Sequence, residues 1–259
     1  MIRSSINQKY KKGDNFFINS TFMRLFMLPL FFMCSFCFAQ EEEKKIDNSK
    51  PTNLYRRLNT VVESNEDGRI GARLIYNGTV GSNILYSVEL PVFSTENKET
   101  GQRSYGIGDV RARFFHVTHK NYEKTFGAFG YSVDVFVPGQ SGIGSNQWMI
   151  SPGVLVGVIA TDWIQFFPIV SYQYRHHMTT GAVTHGASFQ VITPIKFSDK
   201  SFMRITPIWQ MPDFRNPEVA TALETQFNYF ITEKVQLQLF HMAHEKYGNT
   251  VRIGTTIFF

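Results

Sequence analysis

Beyond residue 37 the chain has no cysteine: Cys34 and Cys37 are the only two, and both lie near the start. That excludes a disulfide-stapled scaffold for everything after them. The apolar run Leu25–Phe38 is too short to cross a membrane comfortably as a helix. Its flanks point to a secretory leader instead. Arg24 precedes it, small residues follow at Cys37 and Ala39, and a charged stretch starts at Gln40. We therefore read residues 1–39 as a signal peptide, with Met23 as an alternative start. A large net charge of one sign is lacking too. Five Lys/Arg and one Asp fall in residues 1–39, so the processed chain keeps 21 basic and 20 acidic residues. The overall charge of +5 comes mostly from the leader and implies no nucleic-acid partner.

What remains is monotonous. Residues 40–53 are charged, contain a proline and hold few apolar side chains, which predicts a flexible periplasmic lead-in. Residues 54–259 form one domain without a linker. Segments of roughly ten residues alternate apolar and polar, separated by turn residues, as strands crossing a thin membrane do. The clearest are "FGAFGYSVDVFV", "GASFQVITPIKF" and "VQLQLFHMAHE"; "NLYRRLNTVVE" is the least clear. They make about twelve strands, an antiparallel all-β transmembrane barrel. Counted back from the end, the connections "TEK", "SDKS" and "ATD" are short, whereas "PDFRNPE", "HHMTTGAVTH" and "PGQSGIGSNQ" are long. "STENKETGQRSY" reads as another long loop. An even strand count then puts both termini on the periplasmic side of an outer membrane.

The last strand, "VRIGTTIFF", would be an exposed apolar edge unless it pairs with the first. Val251, Ile253, Ile257 and Phe259 then face lipid and Arg252 a wet lumen. Charges recur on the faces opposite the apolar ones, at Glu89, Asp109, Arg111, Arg113, Asp134, Arg175, Arg204, Glu224 and Arg252. Facing lipid at mid-depth, each Arg would cost roughly 2–4 kcal/mol, so these residues are expected to line the lumen. Trp148, Trp163, Trp209 and the tyrosines 55, 76, 105, 122, 131, 174 and 247 lie near strand ends, where interfacial girdles form.

No catalytic or metal site is predicted, and no cofactor. His176 and His177 point apart in a strand, and nothing completes a ligand set with His185. His241 and His244 fall on opposite faces. Ser171 with His176 and Ser188 with His185 are the pairings a lipid hydrolase would use, but no signature singles them out. "YGIGD" and "GIGSN" are not phosphate loops, because neither opens a helix.

"YGIGDVRARFFHVTHK" (Tyr105 to Lys120) is similar to the Gly-x-Gly-Asp strand opening of the outer-membrane family named for the meta-pathway of phenol degradation. "ELPV" before it and "VDVFVPGQSGIGSNQW" after it resemble that family's flanking strands, and the resemblance spans most of residues 70–259. Gly106, Gly108 and Asp109 carry the motif. The aromatic terminus at Phe259 resembles the signal read by the outer-membrane barrel-assembly machinery. The resemblance implies a barrel in the cell outer membrane that passes small hydrophobic or aromatic solutes, related to long-chain fatty-acid channels. An outer-membrane lipid hydrolase and a structural or adhesion barrel with a plugged lumen are the alternatives.

Overall fold

The computed structural model describes residues 46–96, 100–246 and 248–259. The leader, the first part of the lead-in and Tyr247 lie outside the described residues. Strands run as β1 Arg57–Asn65, β2 Ile70–Val80, β3 Ile84–Glu96, β4 Arg103–Ile107, β5 Val110–Lys120, β6 Phe126–Val137 and β7 Gln147–Ile159. They continue as β8 Gln165–His177, β9 Val183–Lys196, β10 Ser201–Met211, β11 Ala220–Phe230, β12 Val235–His244 and β13 Gly248–Phe258. Each pairs antiparallel with its neighbours, and β13 returns to β1 with Arg57 opposite Phe258 and Glu63 opposite Arg252. The sheet is therefore closed. The terminal strand needs its partner for the reason given above: an unpaired backbone edge has no hydrogen-bond donors or acceptors to meet in hydrocarbon.

The thirteen segments make twelve staves, because β4 and β5 both pair with β3. Val92 lies opposite Ile107, but Glu89 lies opposite Arg111, one residue out of step. The extra residue is a bulge at Gly108–Asp109, where the Gly108 N–H donates to the Pro91 carbonyl at 2.9 Å. "STENKETGQRSY" is shorter as a loop than the sequence suggests. Thr95 pairs with Ser104 and Glu96 with Arg103, so the hairpin extends past the expected strand ends.

Alternate residues along the strands stand out from the wall. Val88, Leu90, Phe129, Val154, Val170, Leu237, Leu239 and Ile253 are all exposed. A continuous apolar belt of this kind cannot remain in water, and it marks the lipid face. Trp148, Trp163, Trp209, Tyr76, Tyr105 and Tyr131 stand on the same outer surface. Tyr55 and Tyr122 do not. Both turn to the inside, where the lead-in meets them.

Both described chain ends and the connections 81–83, 121–125, 160–164, 197–200 and 231–234 lie at one end of the barrel. The longest connections, 138–146 and 212–219, lie at the other. Two apolar clusters line the inner wall near the end that carries the termini. One is Leu85, Phe115, Val117, Ala128, Leu155 and Phe167; the other is Phe202, Phe230 and Phe258. Thus the final two residues divide: Phe258 is buried inside, while Phe259 faces out.

Candidate functional site

The lead-in is packed rather than flexible over residues 46–53. Asn48, Ser49 and Thr52 are buried. Ile46 packs on the Phe202, Phe230 and Phe258 cluster, and Leu54 and Tyr122 pack on the other. Asn48 Nδ2 donates to Gln236 Oε1 at 3.1 Å. Arg57 Nη1 donates to Asn48 Oδ1 at 2.5 Å, and Arg204 Nη2 donates to the Asn48 carbonyl. The Asp47 N–H donates to the Tyr55 hydroxyl at 2.9 Å. Tyr122 bonds Thr52 and donates to Asn53 Oδ1 at 3.2 Å, while the Lys50 ammonium sits 4.1 Å from its ring centre. Burial pushes the Tyr122 hydroxyl up to about 12, so it stays a neutral partner at physiological pH. The segment is a plug across one mouth of the barrel. Its polarity hid it in the sequence: a stopper for a wet lumen must itself be polar.

Beyond the plug a ladder of ion pairs climbs half the inner circumference. Its members come from alternate positions of β13, β1, β2, β3, β5 and β6, which is why they share a face. Arg252 Nε is 2.8 Å from Glu63 Oε2. Arg73 grips the same carboxylate with a fork, Nε to Oε2 at 2.6 Å and Nη2 to Oε1 at 3.0 Å, and its Nη1 reaches Glu89. Arg111 lies 4.0 Å from Glu89 and 2.9 Å from Asp134. Arg113 meets Asp134 bidentately at 2.7 and 3.0 Å. Rings back the cations: Arg252 lies over Phe240 at 4.4 Å and Arg111 over Phe136 at 5.2 Å.

Two cavities of about 270 Å³ each share Arg57, Asn59, Ile75, Glu89, Arg111 and Arg204 in their walls. Arg113 and Asp134 add further charge to one; Arg73, Glu224 and Arg252 line the other. The structure thus brings Glu89, Arg111, Arg113, Asp134, Arg204, Glu224 and Arg252 together around the lumen. Arg175 sits toward the opposite rim, where its Nη1 donates to the Pro212 carbonyl at 2.7 Å. Counting Glu63, six arginines face four carboxylates around these cavities. Arg57, Glu63, Arg73 and Asn48 were not singled out from the sequence. The three strand residues sit at the same alternating positions as the others and were legible by parity.

Asp109 lines neither cavity; its carboxylate accepts the Gly139 N–H at 2.9 Å and the Ser145 N–H at 2.9 and 3.0 Å. The motif is a latch between the β4–β5 bulge and the 138–146 loop. A Cβ on Gly144 would lie 2.3 Å from Asp109 Oδ1, and one on Gly108 would lie 2.5 Å from the Phe93 ring, so both close approaches require glycine. Gly106 lies against Gln140 in the same way. Replacing Asp109 by Ala removes charge-assisted acceptors worth roughly 2 kcal/mol to the loop. We expect faster protease nicking within 138–146 of D109A, with the midpoint of whole-barrel unfolding unchanged.

The serine–histidine pairings are separated by the wall. Ser171 lines the inner cavity, whereas His176 lies an odd number of residues along β8, on the other face. Ser188 pairs opposite Ser171, and His185 lies out of phase with it on β9, bonded to the exposed Tyr172. Among the described residues no three His, Cys, Asp or Glu side chains converge as a metal site would require.

No family model matches the chain, and no protein of described function matches it by sequence. Solved structures do match in shape. The NanC porin aligns at 13% identity with a TM-score of 0.60, covering 78% of this chain and 98% of its own. An outer-membrane channel from Pseudomonas putida F1 aligns at 12% and 0.59, covering 86% and 100%. The KdgM porin, in complex with disordered oligogalacturonate, aligns at 11% and 0.55, covering 78% and 99%. At these identities the likeness is one of fold. The fold is that of a twelve-stranded outer-membrane β-barrel, and the chain's place is the outer membrane.

Proposed function

We propose that the protein is a passive channel for small solutes, hydrophobic or aromatic, and that it belongs with the phenol meta-pathway family its Gly106-x-Gly108-Asp109 opening resembles. The observation that carries the reading is the pair of adjoining cavities inside a closed barrel, lined by charged and apolar side chains together. A barrel serving only as a wall would fill this space with side chains. The termini and the plug then face the periplasm, as export by a cleaved leader requires, and Phe259 presents the terminal aromatic to the assembly machinery. Proteoliposomes carrying the purified protein should swell faster than lipid alone in a small sugar, which bare lipid retains, and added phenol should slow that swelling as it occupies the lumen.

The plug favours a second reading, a structural barrel whose lumen is permanently closed. Swelling no faster than protein-free vesicles, both for the whole protein and after removal of residues 46–53, would establish that reading instead.

A further inference from the structure

We propose that Arg57 and Arg204 form a binding site for the carboxylate of small apolar acids, and that Asn48 of the plug occupies this site when no solute is bound. The proposal rests on the channel reading for its setting and specifies the solute class. Arg57 and Arg204 differ from the other lumen arginines. Arg73, Arg111, Arg113 and Arg252 each hold a carboxylate. Arg57 and Arg204 hold none within ion-pair distance among the described residues; their hydrogen-bond acceptors are two oxygens of one neutral residue, the side-chain and backbone carbonyls of Asn48. The Nε of each guanidinium is also buried without a partner.

Two guanidiniums facing one pair of oxygens is an arrangement a carboxylate completes better than an amide. The anion supplies a direct ion pair to two cations that make none and lone pairs for the orphaned Nε atoms. Glu224 shares the second cavity with them and acts on Arg204 from beyond ion-pair distance, so two guanidiniums in this half-dry wall are only partly compensated until an anion visits. The rest of the cavity states what that anion is attached to. Leu54, Leu85, Phe115, Leu155, Ile169 and Ile192 line the same space of about 270 Å³. That volume lies just under the roughly 300–1,000 Å³ of drug-sized ligand sites, so it fits one ring or a short acyl chain. An acid with an apolar body and a single carboxylate satisfies both walls. Because its head would take the oxygen positions of Asn48, binding and plug docking compete.

The test is a titration of the full processed protein, folded in detergent micelles, with benzoate and with phenol as the uncharged ring, read by ligand-observed NMR. Benzoate should bind about tenfold more tightly than phenol, the loss expected from a charge-assisted hydrogen bond. Arg204→Gln and Arg57→Gln should each abolish that preference. Asn48→Ala should tighten benzoate by removing the side-chain oxygen that competes for Arg57, while the backbone oxygen on Arg204 stays. Should either Gln variant misfold, Arg204→Lys and Arg57→Lys keep the charge but lose the planar fork, and should show an intermediate preference. Equal binding of benzoate and phenol by the native protein, or a benzoate affinity indifferent to both Gln and Lys at Arg204 and Arg57, overturns the site. Micelle binding needs no open pore, which keeps the two readings apart. Benzoate binding with silent bilayers sinks the channel and leaves the site; swelling without benzoate preference sinks the site and leaves the channel.

Discussion

Deleting residues 46–53, with everything before them kept for export, raises single-channel conductance in planar bilayers several-fold and leaves the barrel folded. The segment fills one mouth of the barrel and touches both inner apolar clusters. No strand includes it, and β1 begins only at Arg57, so the sheet closes without it. Its hold is modest. The two Asn48 bonds to arginine are worth about 1.5–3 kcal/mol each and its neutral bonds about 0.5–1.5 each. Ile46, half-buried, adds about half of the roughly 1.5–3 kcal/mol of a fully buried side chain. Ordering the segment costs about 1–2 kcal/mol per residue. Gain and cost are of the same order, so the plug docks reversibly and the intact protein should flicker between closed and open levels. The deletion should hold the open level. Asn48→Ala, which loses the side-chain acceptor of Arg57 but keeps the backbone acceptor of Arg204, should lengthen openings without abolishing closure. Identical conductance in the intact and deleted proteins would mean that the plug does not lie in the solute path.

The barrel was legible in the sequence because its walls obey one rule, apolar out and polar in, at every stave. The alternation places Glu89, Arg111, Asp134, Glu224 and Arg252 on the inner face without any knowledge of their partners, and β6 runs over the very residues 126–137 that the pattern marks. What alternation cannot report is a local contact that suspends it. Asp109 falls in a bulge, where two residues stand opposite one and the phase of the pattern slips. Its carboxylate is therefore free to turn to the loop. Tyr55 and Tyr122 sit near strand ends as girdle rings do, but what decides their direction is the plug they bond. The plug itself carried the composition of a solvated tail. Low apolar content predicts disorder when the alternative is a greasy core, and fails when the alternative is a hydrated, arginine-rich lumen.

Glu63→Gln should destabilise the barrel by about 3 kcal/mol, the lower end of the 3–5 kcal/mol range for breaking a buried ion pair. Glu63 is 5% exposed and stands directly across the closing seam from Arg252. Its carboxylate serves two guanidiniums at once. Arg73 would keep Glu89 after the change, but Arg252 would lose its direct ion pair and keep the face of Phe240, worth about 0.5–2 kcal/mol, and the longer-range attraction of Glu224 in the same cavity. Both arginine side chains are about one-fifth exposed, at 21% and 22%, so lumen water offsets part of the loss. That sets the expectation at the low end. Glu89→Gln should cost less, because Arg73 retains Glu63 and Arg111 retains Asp134. Urea unfolding in lipid vesicles measures both. The double variant Glu63→Gln with Arg252→Ala should be more stable than the sum of the two single losses by roughly 1–3 kcal/mol, since no uncompensated cation then remains at the seam. Additive losses, or a Glu63→Gln effect no larger than that of Glu89→Gln, would show that the carboxylate is one hydrated group among many. A large, non-additive loss would show that the barrel is closed electrostatically at its last strand as well as by backbone pairing.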